Sequence, residues 1–116
     1  MDVLPIEYHF ADAMGIARGK RGEANDADGI RAADPKYLVK ALDKAIVSLR
    51  KRAEKMKQND KVRVFIDPAI SDLEMQRDLI EKNKAALKGT PAVISLWWAH
   101  SMNVHLIDII LRDRNL

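Results

Sequence analysis

Residues 90–111 read TPAVISLWWAHSMNVHLIDIIL. No charged side chain occurs from Gly89 to Ile107, and both tryptophans of the chain, Trp97 and Trp98, lie inside the stretch. A segment this apolar must be covered by a core, a partner or a membrane. Two folds are open to it. In the first, Thr90 is an N-cap and Pro91 takes the first helical position, where its missing N–H would be unpaired anyway; one helix then runs to about Arg112. In the second, residues 92–98 form a buried strand and a shorter helix begins near Ser101 or Asn103. Apolar content alone does not separate the two. The single helix is preferred, because no Gly or Pro follows to interrupt it.

On that helix, 100° per residue puts Val93, Trp97, Val104 and Leu111 on one side. Trp98, Met102, Leu106 and Ile109 fall on a second side. Leu96, Ala99, Ile107 and Ile110 fill a third. A helix apolar all round is normally buried all round. One narrow polar line interrupts it: Ser101, His105, Asp108 and Arg112, neighbours at spacings of four, three and four.

Working outward, residues 71–88 read as the helix before it. Ser71 and Glu74 have capping-box spacing, and Gly89 suits a C-terminal position with positive φ. Leu73, Ile80 and Leu87 share one side of this helix; Met75, Leu79 and Ala86 share another. Upstream, residues 61–67 alternate in strand fashion, with Val62, Val64 and Ile66 on one face and Pro68 closing the run. Asp34 and Pro35 open the clearest helix, expected to reach about Gln58. Its apolar stripe is Leu38, Val39, Leu42, Ala45, Ile46, Leu49, Ala53 and Met56. Lys40, Lys44, Lys51 and Lys55 lie opposite. Two helical ion pairs are expected at four-residue spacing, Arg50 with Glu54 and Asp78 with Lys82. Residues 18–33 read as a glycine-punctuated loop with a basic tip (Arg18, Lys20, Arg21), and residues 1–17 as an extended arm with a weak helical turn.

These readings give a mainly α fold: a single globular domain over residues 1–116, compact, with three principal helices and a short β element near 61–67. The alternative is a small α/β domain with a βαβ unit over 61–112. A chain of 116 residues and 47% apolar content supports a real core. The absence of cysteine excludes disulfides, thiolate catalysis and cysteine-based zinc sites. No basic stretch followed by an apolar run opens the sequence, so the expected location is cytoplasmic. No membrane association is expected either, since Ser95, His100, Ser101, Asn103 and His105 interrupt the apolar stretch.

The net charge of +3 conceals a local excess. Residues 36–63 hold ten basic and three acidic side chains. The lysine row there, with the basic tip at Arg18, Lys20 and Arg21, permits an anion or nucleic acid as partner without favouring one, because no aromatic residue is interleaved for base stacking. Other constellations fail on geometry. Ser101, His105 and Asp108 are triad residue types, but known triads assemble from separate elements beside oxyanion donors. His100 and His105 are five apart, whereas a helical metal pair needs three or four. Residues 15–22 miss the phosphate-loop pattern, and Ala24 and Pro35 occupy required ligand positions of a calcium loop. No catalytic residue, metal site or cofactor is assigned. An enzyme arises only from the α/β alternative, which would set Asp67 and His100 at neighbouring strand ends.

The functional expectation is a small oligomeric binding or accessory protein acting through a helical interface, with itself as first partner and another protein as the alternative. The interface residues are Trp97, Trp98, Ser101, His105, Asp108 and Arg112. Asp108 of one copy is expected to face Arg112 of the other, because the chain carries more apolar helix surface than its own helices can cover.

Overall fold

The computed structural model describes residues 34–116. The arm of residues 1–17 and the basic tip Arg18, Lys20 and Arg21 lie outside the described residues. Four helices and no strand make up the described part: α1 Pro35–Ala53, α2 Lys61–Lys82, α3 Lys84–Leu87 and α4 Pro91–Asp113. The domain is mainly α.

α1 begins as its sequence dictates. The Asp34 carboxylate accepts from the Lys36 backbone N–H at 3.0 Å, and Pro35 follows at the first helical position. This satisfies one of the donors left open at a helix start. Its last turn carries Arg50, Lys51 and Arg52, cations that suit the negative end of the helix dipole. The helix stops at Ala53, short of Gln58. A turn follows in which the Met56 N–H donates to the Ala53 carbonyl, tucking Met56 into the core.

The strand expected at 61–67 is helix, and with it the βαβ alternative falls. Asp60 is the N-cap: its carboxylate accepts from the Val62 N–H at 2.8 Å. The helix then runs through Pro68 and past Ser71, so the Ser71–Glu74 spacing marks no helix start. Proline inside a helix removes one backbone bond and costs about 3 kcal/mol. Pro68 lies on the exposed side, and the same helix buries Ile66, Ile70, Leu73 and Ile80. At about 2 kcal/mol per buried aliphatic side chain, packing outweighs the lost bond. The apparent alternation dissolves in the helix. Val62 and Ile66, four apart, turn inward, while Val64 and Phe65 are 62% and 66% exposed.

α2 ends at Lys82. The Asn83 side-chain amide donates to the Leu79 carbonyl at 2.7 Å, closing the helix end before the single turn of α3. Gly89 has φ +76° with nothing within 4 Å of where a Cβ would stand, so its requirement is purely one of backbone conformation. The Thr90 hydroxyl donates to the Leu87 carbonyl at 2.7 Å, and Pro91 opens α4. α4 runs unbroken through residues 92–98 and Ala99 to Asp113, which decides the fork in favour of one helix.

α1 and α4 run parallel with α2 antiparallel between their connections. Arg114 of the chain's last turn returns to Asp60 at the start of α2 (2.8 and 3.0 Å). α1 packs chiefly on α2 and next on α4. The shared core is Leu38, Leu42 and Leu49 of α1, Ile66, Ile70 and Leu73 of α2, and Val93, Val104 and Leu111 of α4, each almost wholly buried.

Candidate functional site: the outward faces of the bundle

Each long helix turns one face to the core and the opposite face to solvent, and the three solvent faces differ in kind. On α4 the buried set is Val93, Trp97, His100, Val104, Ile107, Asp108 and Leu111. At 100° per residue, Trp98, Met102, Leu106 and Ile109 centre almost opposite to it. They are 42%, 52%, 53% and 46% exposed. α2 repeats the pattern with Val64, Phe65, Met75 and Leu79 outward. α1 does not: its outward side carries Lys36, Lys40, Lys44 and Lys51, followed by Lys55 in the turn after the helix, with Val47 the exposed large apolar residue among them.

The residues expected to form an interface divide. Trp98 is on the solvent face of α4. Trp97, next in sequence but 100° away, is 3% exposed and packs in the core. Ser101 and His105 are half-buried on the flank. Asp108 is buried, and its partner is within the chain. Arg52 Nη1 of α1 donates to Asp108 Oδ1 at 2.6 Å, and Arg52 Nε donates to the Leu116 carbonyl at 2.8 Å. Arg112 Nε lies 3.0 Å from Asp108 Oδ2, one helical turn away. Asp108, on the polar line of α4, is therefore the point at which α4 is tied to the end of α1. Asp108 and Arg112 are paired within one chain, and burying Asp108 requires such counter-charges close at hand.

Arg52 was not singled out by sequence, since nothing local distinguishes it from Lys51. All six arginines among the described residues make ion pairs. Arg50 pairs with Glu74 rather than with Glu54. Arg63 reaches Asp67 at 3.2 Å and the Met56 carbonyl at 2.8 Å. Arg77 reaches Asp43 at 2.8 Å and Asp78 at 3.1 Å, so Asp78 pairs with Arg77 and not with Lys82. Arg114 holds Asp60, and its guanidinium keeps that carboxyl below the usual range. Arg52 and Arg112 share Asp108. Of the lysines described, Lys84 alone is ion-paired, with Glu81 at 2.6 Å. Lys40, Lys44, Lys51 and Lys55 are exposed as expected and make no ion pair.

Asp67 and His100 do not form a site. Asp67 is engaged by Arg63 on its own helix, and His100 is 4% exposed in the core. Neither imidazole nitrogen of His100 has a hydrogen-bond partner. Burial holds its pKa below the ordinary histidine value, opposed in part by the charge of Asp72. Among the described residues no group of three His, Cys, Asp or Glu is placed to hold a metal ion, and no helix is long and apolar enough to cross a membrane. A depression of about 530 Å³ between α1 and α2 is lined by Asp43, Ile46, Val47, Glu74, Arg77 and Asp78, but its charged groups are already paired, Asp43 and Asp78 with Arg77 and Glu74 with Arg50. No family model, characterised protein or solved structure matches this chain.

Proposed function

We propose that this protein is a small oligomeric binding protein that associates with a second copy of itself through the outward face of α4. The observation that carries the reading is the stripe of Trp98, Met102, Leu106 and Ile109, four large apolar side chains in helical register and each about half exposed. Exposed apolar residues scattered singly need no explanation; a contiguous row opposite an equally apolar buried face does. A second copy suits the row because no charge lies within it. A twofold contact sets a surface against itself, and an uncharged surface meets itself without like-charge repulsion.

The expected affinity is modest. Half-burial of a large apolar side chain is worth about 1 kcal/mol. Four per copy, counted on both copies, supply about 8 kcal/mol against association costs of at least about 4 kcal/mol. The net of at most about 4 kcal/mol corresponds to a dissociation constant of about 1 mM. Sedimentation equilibrium from about 0.05 to 3 mM protein is the test. The subunit mass is 13.1 kDa, and the mass should climb toward twice that value across the range. Leu106→Glu should hold the protein at the subunit mass with an unchanged far-UV circular dichroism spectrum. A concentration-independent mass of one subunit for the unsubstituted protein would end the proposal.

A further inference from the structure

The solvent face of α1 is a separate surface from the stripe on α4, and its chemistry differs. Lys36, Lys40, Lys44 and Lys51 fall within an arc of about 80° at 100° per residue, and Lys55 follows in the turn after the helix. The opposite arc of α1 is in the core. None of these lysines makes an ion pair, although carboxylates are close by. Asp43, at the edge of the row, is taken by Arg77 at 2.8 Å, and Glu74 beyond it is taken by Arg50. Among the described residues, Glu54 at the helix end is the one carboxylate that shares the face. The arginines have neutralised the carboxylates between α1 and α2, and the lysine charge is left for solvent or for a partner.

We propose that this face of α1 docks on the phosphate backbone of a nucleic-acid duplex. Lys40 to Lys51 extends about 16 Å along the helix at 1.5 Å per residue, and Lys55 follows in the turn beyond, so a small anion meets one or two of these cations and a linear polyanion meets the row. Single strands are bound largely through aromatic stacking, and among the described residues the one aromatic near the row, Tyr37, lies 5.1 Å from Lys36 Nζ and 6.0 Å from Lys40 Nζ, where it steadies the lysines instead. A membrane-bound amphipathic helix inserts its apolar side, but that side of α1 is packed against α2 and α4. Acidic peptides are best held by the bidentate fork of arginine, and here the arginines are committed within the fold. Lysine point charges without arginine match a contact that reads charge and not sequence. The proposal does not depend on self-association.

The experiment is fluorescence anisotropy with a labelled 20-base-pair duplex of mixed sequence, titrated with the full chain at 50 to 200 mM salt. Four phosphate contacts give a slope of log K against log salt of about −3.6, a loss of about 150-fold across that range. Lys44→Gln with Lys51→Gln should bring the slope nearer zero by about 2, and Lys40→Gln with Lys55→Gln should do the same independently. All four positions are exposed, so circular dichroism should be unchanged. Absence of binding at 50 mM salt up to 100 µM protein overturns the proposal. So does an unchanged slope in both double variants, tighter binding of the equivalent single strand, or binding to phosphatidylserine vesicles without binding to the duplex.

Discussion

Replacing Asp108 by Ala tests the seam between α1 and α4 most directly. Asp108 is 1% exposed, and its charge is balanced by Arg52 at 2.6 Å and Arg112 at 3.0 Å. The two arginines are not equivalent. The Arg52 side chain is 18% exposed and reaches Asp108 from a different helix, whereas that of Arg112 is 47% exposed on the same helix. Removing one partner of a buried pair costs about 3–5 kcal/mol, because the other is left uncompensated. Arg52 retains its bond to the Leu116 carbonyl and some contact with water, which puts Asp108→Ala at the low end, about 3 kcal/mol. With a urea m-value of about 1.5 kcal/mol/M, the unfolding midpoint should fall by about 2 M. A double-mutant cycle separates the partners: coupling of Asp108 to Arg52 should be about 2 kcal/mol, and coupling to exposed Arg112 under about 1 kcal/mol. Arg52→Met combined with Asp108→Leu should recover most of the loss, since an apolar pair can replace a buried ionic one. A midpoint shift under about 0.3 M for Asp108→Ala would refute the description of this seam.

Two further outcomes follow from α4. His100 has a depressed pKa in the folded state, so the unfolded chain takes up its proton first; the stability this histidine contributes is complete above about pH 6.5 and is lost as pH falls through that value toward the folded pKa. Denaturant midpoints between pH 7.5 and 5 should show a decline no steeper than about 1.4 kcal/mol per pH unit, and His100→Leu should flatten it; an equal decline in the variant would remove His100 as the cause. Ala99→Pro should unfold the protein, since it removes a bond in the middle of α4 at a cost of about 3 kcal/mol or more; a cooperative melt near that of the parent would contradict a continuous helix.

How much the sequence revealed depended on whether a residue's role was local. Asp34-Pro35, Thr90-Pro91 and Gly89 signal helix boundaries through their own backbone chemistry, and the structure has them as read. The division of α4 into a Val93–Trp97–Val104–Leu111 side and a Trp98–Met102–Leu106–Ile109 side was also legible, because it needs only the helical period. Which side met the core was not. Both are equally apolar, and the choice is made by where α1 and α2 lie. Residues 61–67 misled for a comparable reason: Val62, Val64 and Ile66 satisfy a strand pattern, and the Asp60 cap that makes them helical lies outside that window. Proline at 68 looked like an end, because the burial that overrides it comes from residues on other helices. Arg52 and Asp108 are 56 positions apart, and no local pattern links them.

The segregation of arginine from lysine has a consequence for covalent chemistry. Every ion pair between two long helices of the described residues uses a guanidinium, and the one ion-paired lysine, Lys84, joins neighbours three apart in sequence. Acetylation of ε-amines therefore erases the charge of the α1 surface while leaving the bonds between helices in place. A dicarbonyl reagent selective for guanidinium groups strikes those bonds instead. In this protein the surface charge and the architecture answer to different reagents, so one can be titrated away while the other stands.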